Sequence, residues 1–184
     1  ADAEGHSAPA AVLMAMTCAL FLALPSSAAD PAEVLTYLNR HLCKVADPSF
    51  VTALYIVYDT EHHRLKIARA GHPPPMIYQQ AENKSLELAG EAVHPLGIYP
   101  YDHVPVSETT LASGDRMLLY TDGITERFDI EGNAYGEDRL LRGLAADAAD
   151  NPRQILDAII EDVERFAGGR PPDDDQALVL GVVE

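Results

Sequence analysis

Between residues 50 and 120 the chain reads as strands joined by turns and loops, with no helix-patterned segment among them. Residues 50–58 are rich in β-branched and aromatic side chains, 60–64 supply a turn, and 65–70 lead back as the second arm of a hairpin. Residues 76–78 and 85–88 repeat that arrangement. Residues 104–111 carry Pro105, which marks an edge strand. The turn at Ser113-Gly114-Asp115 leads into a central strand over 116–120. Strands that follow one another through hairpins pair antiparallel, so alternating βαβ units are excluded and a mainly antiparallel α+β class is indicated. Gly71-His72-Pro73-Pro74-Pro75 can be neither helix nor central strand and forms a stiff loop. His72 reads as a hydrogen-bonded anchor of that loop rather than a catalytic base. His62 and His63 read as solvated turn residues, because neighbours on an extended chain point apart.

Helix patterns flank this block on both sides. Residues 8–24 are apolar, but no Lys or Arg precedes Arg40, and Asp2 and Glu4 do, so the run is not a signal peptide. Pro25 breaks it too early for a membrane span. It is expected as a buried helix, capped by Ser7, with Pro9 in its first turn. Asp30-Pro31-Ala32-Glu33 is a cap, a first-turn proline and a capping-box acid, predicting a helix to about residue 45 with Asp47-Pro48-Ser49 as its stop. Residues 137–148 put Leu140, Leu141 and Leu144 on one helical face. Asn151-Pro152-Arg153-Gln154 starts a further helix with Ile155, Leu156, Ile159, Ile160 and Val163 inward and Gly168-Gly169 as its end. Residues 177–183 are expected as a buried final strand. The polar stretch 128–135 reads equally as a flap over a site and as a solvated linker. Cys18 and Cys43 lie on apolar helical segments and read as buried thiols. They form neither a disulfide framework nor a zinc spacing, and a cytoplasmic location fits.

The chain has 29 acidic residues against 13 Lys plus Arg, a formal charge of -16. That balance disfavours nucleic acid and anionic membrane as partners, since their phosphates would not be neutralised. A phosphate-bearing substrate would also be repelled, unless bound divalent cations reversed the local sign. Carboxylates at segment edges offer a place for such ions. Asp122 and Gly123 follow the apolar run 117–120 and Thr121, so that Asp122 projects from the end of a strand. Taken alone this reads as an ordinary Asp-Gly turn. Asp2 and the triplet Asp173-Asp174-Asp175 lie at the edges of other apolar segments. If the three sites converge, their oxygen-only ligands select Mg²⁺ or Mn²⁺ over zinc. No thiol or serine nucleophile motif competes with that reading.

Four stretches in order carry a family likeness: Asp2-Ala3-Glu4-Gly5-His6-Ser7-Ala8-Pro9-Ala10-Ala11, Ala70-Gly71-His72-Pro73-Pro74-Pro75, Gly114-Asp115-Arg116-Met117-Leu118-Leu119-Tyr120-Thr121-Asp122-Gly123, and Asp174-Asp175-Gln176-Ala177-Leu178. With them the chain resembles the bacterial PP2C-like serine/threonine phosphatases of the SpoIIE and RsbU type. The resemblance implies an αββα sandwich with helices outside and two Mn²⁺ or Mg²⁺ ions activating a water. It implies Asp2 bridging the ions, the Ala3 carbonyl on one of them, and Asp122 and Asp174 completing the site, with Asp175 as second choice to Asp174. Gly5 and Gly123 would let the backbone approach the ions. The implied substrate is a phosphorylated regulatory protein of the STAS-type anti-sigma-factor antagonist kind.

There are departures from the family pattern. Ser7 replaces a glycine, Ala177 replaces a threonine, and Glu4 adds a carboxylate. The family places strands ahead of the first motif, so the expectation is a single domain over 1–184, N-terminally truncated, lacking its first strands and prone to self-association at an open edge. The competing reading is a catalytically silent module that binds a protein partner. Aspartate at all three matching positions favours the enzyme.

Overall fold

The computed structural model describes residues 1–5, 8–25, 28–45, 49–88, 90–146 and 151–184. In chain order the elements are β1 (Asp2–Ala3), α1 (Ala8–Leu22), α2 (Pro31–Leu42), β2 (Val51–Asp59), β3 (Arg64–Ala70), β4 (Met76–Gln79), β5 (Lys84–Glu87), β6 (Val106–Thr110), β7 (Arg116–Tyr120), α3 (Asp122–Thr125), α4 (Glu137–Ala145), α5 (Pro152–Ala167) and β8 (Leu178–Val182). They fall into two compact units, residues 1–72 with 90–110, and residues 73–89 with 111–184.

The first unit holds a four-stranded sheet in the order β1-β2-β3-β6, antiparallel throughout. The hairpin of β2 and β3 and the edge position of β6 match the sequence expectation. Val34, Leu35, Leu38 and Leu42 of α2 meet Val51, Ala53, Ala68 and Ala70 of the sheet in one apolar cluster. The cap is as expected: the Asp30 carboxylate accepts from the amides of Ala32 at 2.8 Å and Glu33 at 3.3 Å. The helix ends at Leu42, short of residue 45. The proposed stop at Asp47 and Pro48 lies outside the described residues, as does the Ser7 cap of α1.

The expectation of a buried α1 is corrected. Only Ala10, Leu13 and Thr17 are buried, while Val12, Phe21 and Leu22 face out. An apolar composition on every face hides which single stripe has a neighbour. Cys18 is exposed and Cys43 half-buried, so neither is the fully buried thiol expected. The Cys43 thiol donates to Asn39 Oδ1 at 3.3 Å. Asn39 itself is fully buried, donating to the Tyr99 carbonyl and accepting from the Gly97 amide at 2.9 Å each. Among the described residues no helix is long and apolar enough to cross a membrane.

The second unit holds the sheet β5-β4-β7-β8, again antiparallel, with β7 central as expected. Leu140 and Leu144 of α4 and Ile155, Ile159 and Val163 of α5 pack with Met76, Leu118 and Tyr120 of the sheet. The Asn151 side chain accepts from the Arg153 amide at 3.0 Å, and Gly168 closes α5 with φ 60°. The predicted helix to residue 148 ends at Ala145, and residue 148 lies outside the described residues. Two burial expectations are corrected here. Ile160 is 48% exposed, because it lies off the stripe of Ile155, Ile159 and Val163. The last strand is an edge strand rather than a buried one, with Val179 60% exposed.

Candidate metal centre

In the first unit, β1 is a strand that sequence periodicity could not reveal, being two residues long. It pairs with β2 in the register Asp2 opposite Thr52 and Ala3 opposite Val51. The Glu4 amide then donates to the Phe50 carbonyl at 3.0 Å, and Gly5 turns the chain with φ 85°. Such a φ favours glycine. Ala3 is buried and Asp2 half-buried. The Thr52 hydroxyl lies 3.4 Å from the Asp2 carbonyl oxygen and 2.9 Å from His72 Nδ1. His72 is buried, and its own carbonyl accepts from the Arg69 guanidinium at 3.0 Å. The loop-anchor reading of His72 is therefore what the hydrogen bonds support. Of the turn histidines, His62 is exposed on Asp59, and His63 bonds the Tyr58 hydroxyl at 2.8 Å.

In the second unit the strand end at Tyr120 leads not into a tight turn but into the one-turn helix α3, with Asp122 as its first residue. The Thr121 hydroxyl donates to the Asp175 carbonyl at 3.0 Å and accepts from the Ala177 amide at 2.9 Å. The Gln176 amide group donates to the Gly123 carbonyl at 2.9 Å. Gly123 is needed for this approach: a Cβ there would collide with the Asp175 carbonyl oxygen and come within 3.3 Å of the Asp174 carbonyl carbon. The segment 174–177 is thus laid onto the 121–123 corner, and one carboxylate oxygen each of Asp122 and Asp174 lies within 4.8 Å of the other. Among the described residues neither aspartate is in an ion pair with a basic side chain. Two uncompensated carboxylates at that separation repel each other and suit a hard cation. Asp175 is exposed and its amide caps the Asp174 carboxylate at 2.8 Å.

The stretch 128–135 is a closed hairpin, bridged at Phe128 and Ala134. The Asp129 carboxylate accepts from the Asn133 side chain and from the Glu131 and Asn133 amides, and these bonds hold it below the usual carboxylate range. Sequence reasoning passed over Arg127. It is 2% exposed, and its guanidinium donates to the Pro171 carbonyl at 2.6 Å and to the Arg170 carbonyl.

Comparison with known proteins supplies the family context. The family model described as Stage II sporulation protein E (SpoIIE) matches residues 1–183. Phosphoserine phosphatase RsbU of Bacillus subtilis (strain 168) is 35% identical over 128 residues, 68% of this chain and 38% of that protein. Phosphoserine phosphatase RsbP of the same organism is 24% identical over 185 residues, 97% of this chain and 43% of that protein. The matched chain therefore spans about two fifths of the length of these relatives. The SiaA-PP2C domain of Pseudomonas aeruginosa superposes with a TM-score of 0.83 at 21% identity, covering 99% of this chain and 73% of that one. One further neighbour is a magnesium complex and another was presoaked with Mn. RsbX in complex with magnesium has a TM-score of 0.68 at 16% identity, covering 99% and 79%. The Mn-presoaked phosphatase domain of SpoIIE from Bacillus subtilis has a TM-score of 0.62 at 18% identity, covering 98% and 74%. At these identities the structural neighbours establish the fold, which is that of PP2C phosphatase domains.

Proposed function

This chain belongs to the SpoIIE family, of PP2C-type fold, and from that premise we propose that it is a metal-dependent protein serine/threonine phosphatase. The observation that carries the proposal is the Asp122–Asp174 pair, held together by backbone anchors and, among the described residues, in no ion pair with a basic side chain. The donor set is oxygen only, which fits Mg²⁺ or Mn²⁺. We assign Asp122 and Asp174 as ligands, Asp2 and the Ala3 carbonyl as the others, and Asp175 as a flanking carboxylate. The family motif at Asp2-Ala3 and the pairing of β1 that fixes its backbone support the assignment of the first two. Divalent ions held by these residues would supply a water of lowered pKa and charge stabilisation of the phosphate oxygens for phosphate-ester hydrolysis.

The chain's own contribution is to hold carboxylates that repel one another at fixed positions, where bound cations would offset locally a net charge of -16. The names of the relatives point to phosphoserine as substrate, and we propose a phosphorylated regulatory protein of the STAS-type anti-sigma-factor antagonist kind, acted on in the cytoplasm. The test is release of phosphate from a phosphoserine-bearing protein of that class and from an aryl phosphate, with Mn²⁺, with Mg²⁺ and with excess EDTA. Turnover is expected with either ion and none with EDTA. Metal binding without any turnover on either substrate would refute the enzyme and leave the silent binding module.

A further inference from the structure

Asp174 sits on a segment with no regular structure of its own, for residues 171–177 are exposed and form neither helix nor strand. Downstream of Asp174 the segment is fastened by Thr121, Gln176 and the β7–β8 pairing. Upstream, the fastening falls on Arg127 and Arg170. Arg170 is half-buried, with its guanidinium 5.3 Å from the centre of the Phe128 ring and 3.5 Å from the Asp129 carbonyl, and it pairs with Asp173 at 2.8 Å. Arg127 is the buried member. Its two terminal nitrogens donate to the successive carbonyls of Arg170 and Pro171, and among the described residues its buried Nε has no partner and it forms no ion pair.

A guanidinium buried against backbone dipoles alone is costly, and an apolar residue would fill the same space at less cost. What the apolar residue could not do is grip two neighbouring carbonyls at once, which the Arg fork does and a Lys ammonium does less well. Arg127 also follows Asp122 by five residues through α3, whose turns are closed by the Glu126 and Arg127 amides on the carbonyls of Asp122 and Ile124. The same corner thus carries one proposed ligand and reaches out to fix the approach of the other.

We propose that Arg127 is the positioning residue for Asp174, tying the upstream end of the ligand segment to the helical turn that bears Asp122. The proposal rests on the assignment of Asp122 and Asp174 as metal ligands. The two are separated experimentally by measuring Mn²⁺ binding and local order independently of turnover. Arg127→Met and Arg127→Lys are compared with wild type by Mn²⁺ calorimetry, by backbone ¹⁵N relaxation at Asp173 to Gln176 in the metal-free protein, and by circular dichroism. Groups that orient metal ligands are worth roughly 10–100-fold in affinity. Arg127→Met is expected to lose about that factor, Arg127→Lys to recover part of it, and order parameters to fall at 173–176 but not elsewhere in the fold. Wild-type Mn²⁺ affinity and wild-type order in either folded variant overturns the proposal. So does unfolding of both variants, which would make Arg127 a core residue and nothing more. If wild type itself binds no Mn²⁺, the ligand assignment fails. In that case loss of order confined to 173–176 in the variants still upholds Arg127 as the anchor of the segment, and unchanged order overturns it.

Discussion

At the scale of single residues, charge and backbone space can be separated by substitution. Asp122→Asn keeps the turn geometry of α3 and removes one carboxylate of the repelling pair. It is expected to cut turnover by more than about 100-fold, exceeding the loss from groups that merely orient ligands. The metal-free melting temperature should be unchanged or higher, and full turnover at limiting Mn²⁺ would remove Asp122 from the ligand set. Gly123→Ala tests space rather than charge. Its Cβ meets the Asp175 carbonyl, so the ligand segment must shift. The expected cost is about 1–3 kcal/mol, read by urea unfolding, together with weaker Mn²⁺ binding. The aspartates could be singled out as candidates in the sequence because carboxylates at segment edges are visible without coordinates. Arg127 could not, because in sequence an arginine reads as a surface cation, and the carbonyls that justify its burial lie 43 and 44 residues away.

At the scale of elements, α4 and α5 are clasped by Asp162. Its carboxylate accepts from Arg139 Nε at 3.0 Å and from the Tyr135 hydroxyl at 2.9 Å, and Arg165 adds a third donor at 3.2 Å. Burial pushes the Asp162 carboxyl up, but the bonds from Arg139 and Tyr135 outweigh it and hold it below its ordinary value of 3.8. A depressed folded-state pKa stabilises the fold above the unfolded value, and that stabilisation is lost as pH falls below it. Asp162→Asn should therefore flatten the acid limb of the stability curve below about pH 4 and cost about 1 kcal/mol at neutral pH, both measured by thermal unfolding across pH. Helix starts were legible because Asp30 and Asn151 act on their own neighbours, and the hairpins were legible for the same local reason. Burial of α1 and β8 was misjudged because it depends on which neighbours exist. A wholly apolar helix and an apolar edge strand look, in sequence, like buried ones.

At the scale of the whole molecule, a charge of -16 opposes compaction wherever it is not neutralised. Mn²⁺ at about 100 times its dissociation constant should raise unfolding stability by roughly 2.7 kcal/mol, and monovalent salt should raise the melting temperature of the metal-free chain by screening. Scanning calorimetry with and without chelator decides both, and identical curves would show that no ion binds the native state. Along β2, β1 covers only Val51 and Thr52 of nine residues, and α1 leaves Val12, Phe21 and Leu22 outward. Open edges and apolar patches favour association, so sedimentation should show a weight-average mass that rises with concentration. The order in which segments are shared out also has a temporal side. The chain changes unit after residues 72, 89 and 110, so β6 reaches its place beside β3 only after the whole β4–β5 hairpin has been made. On a ribosome adding ~5–20 residues per second, the outer edge of β3 waits roughly 2–8 s for its partner, and a gene divided at any of the three crossings splits at least one of the two sheets between its pieces.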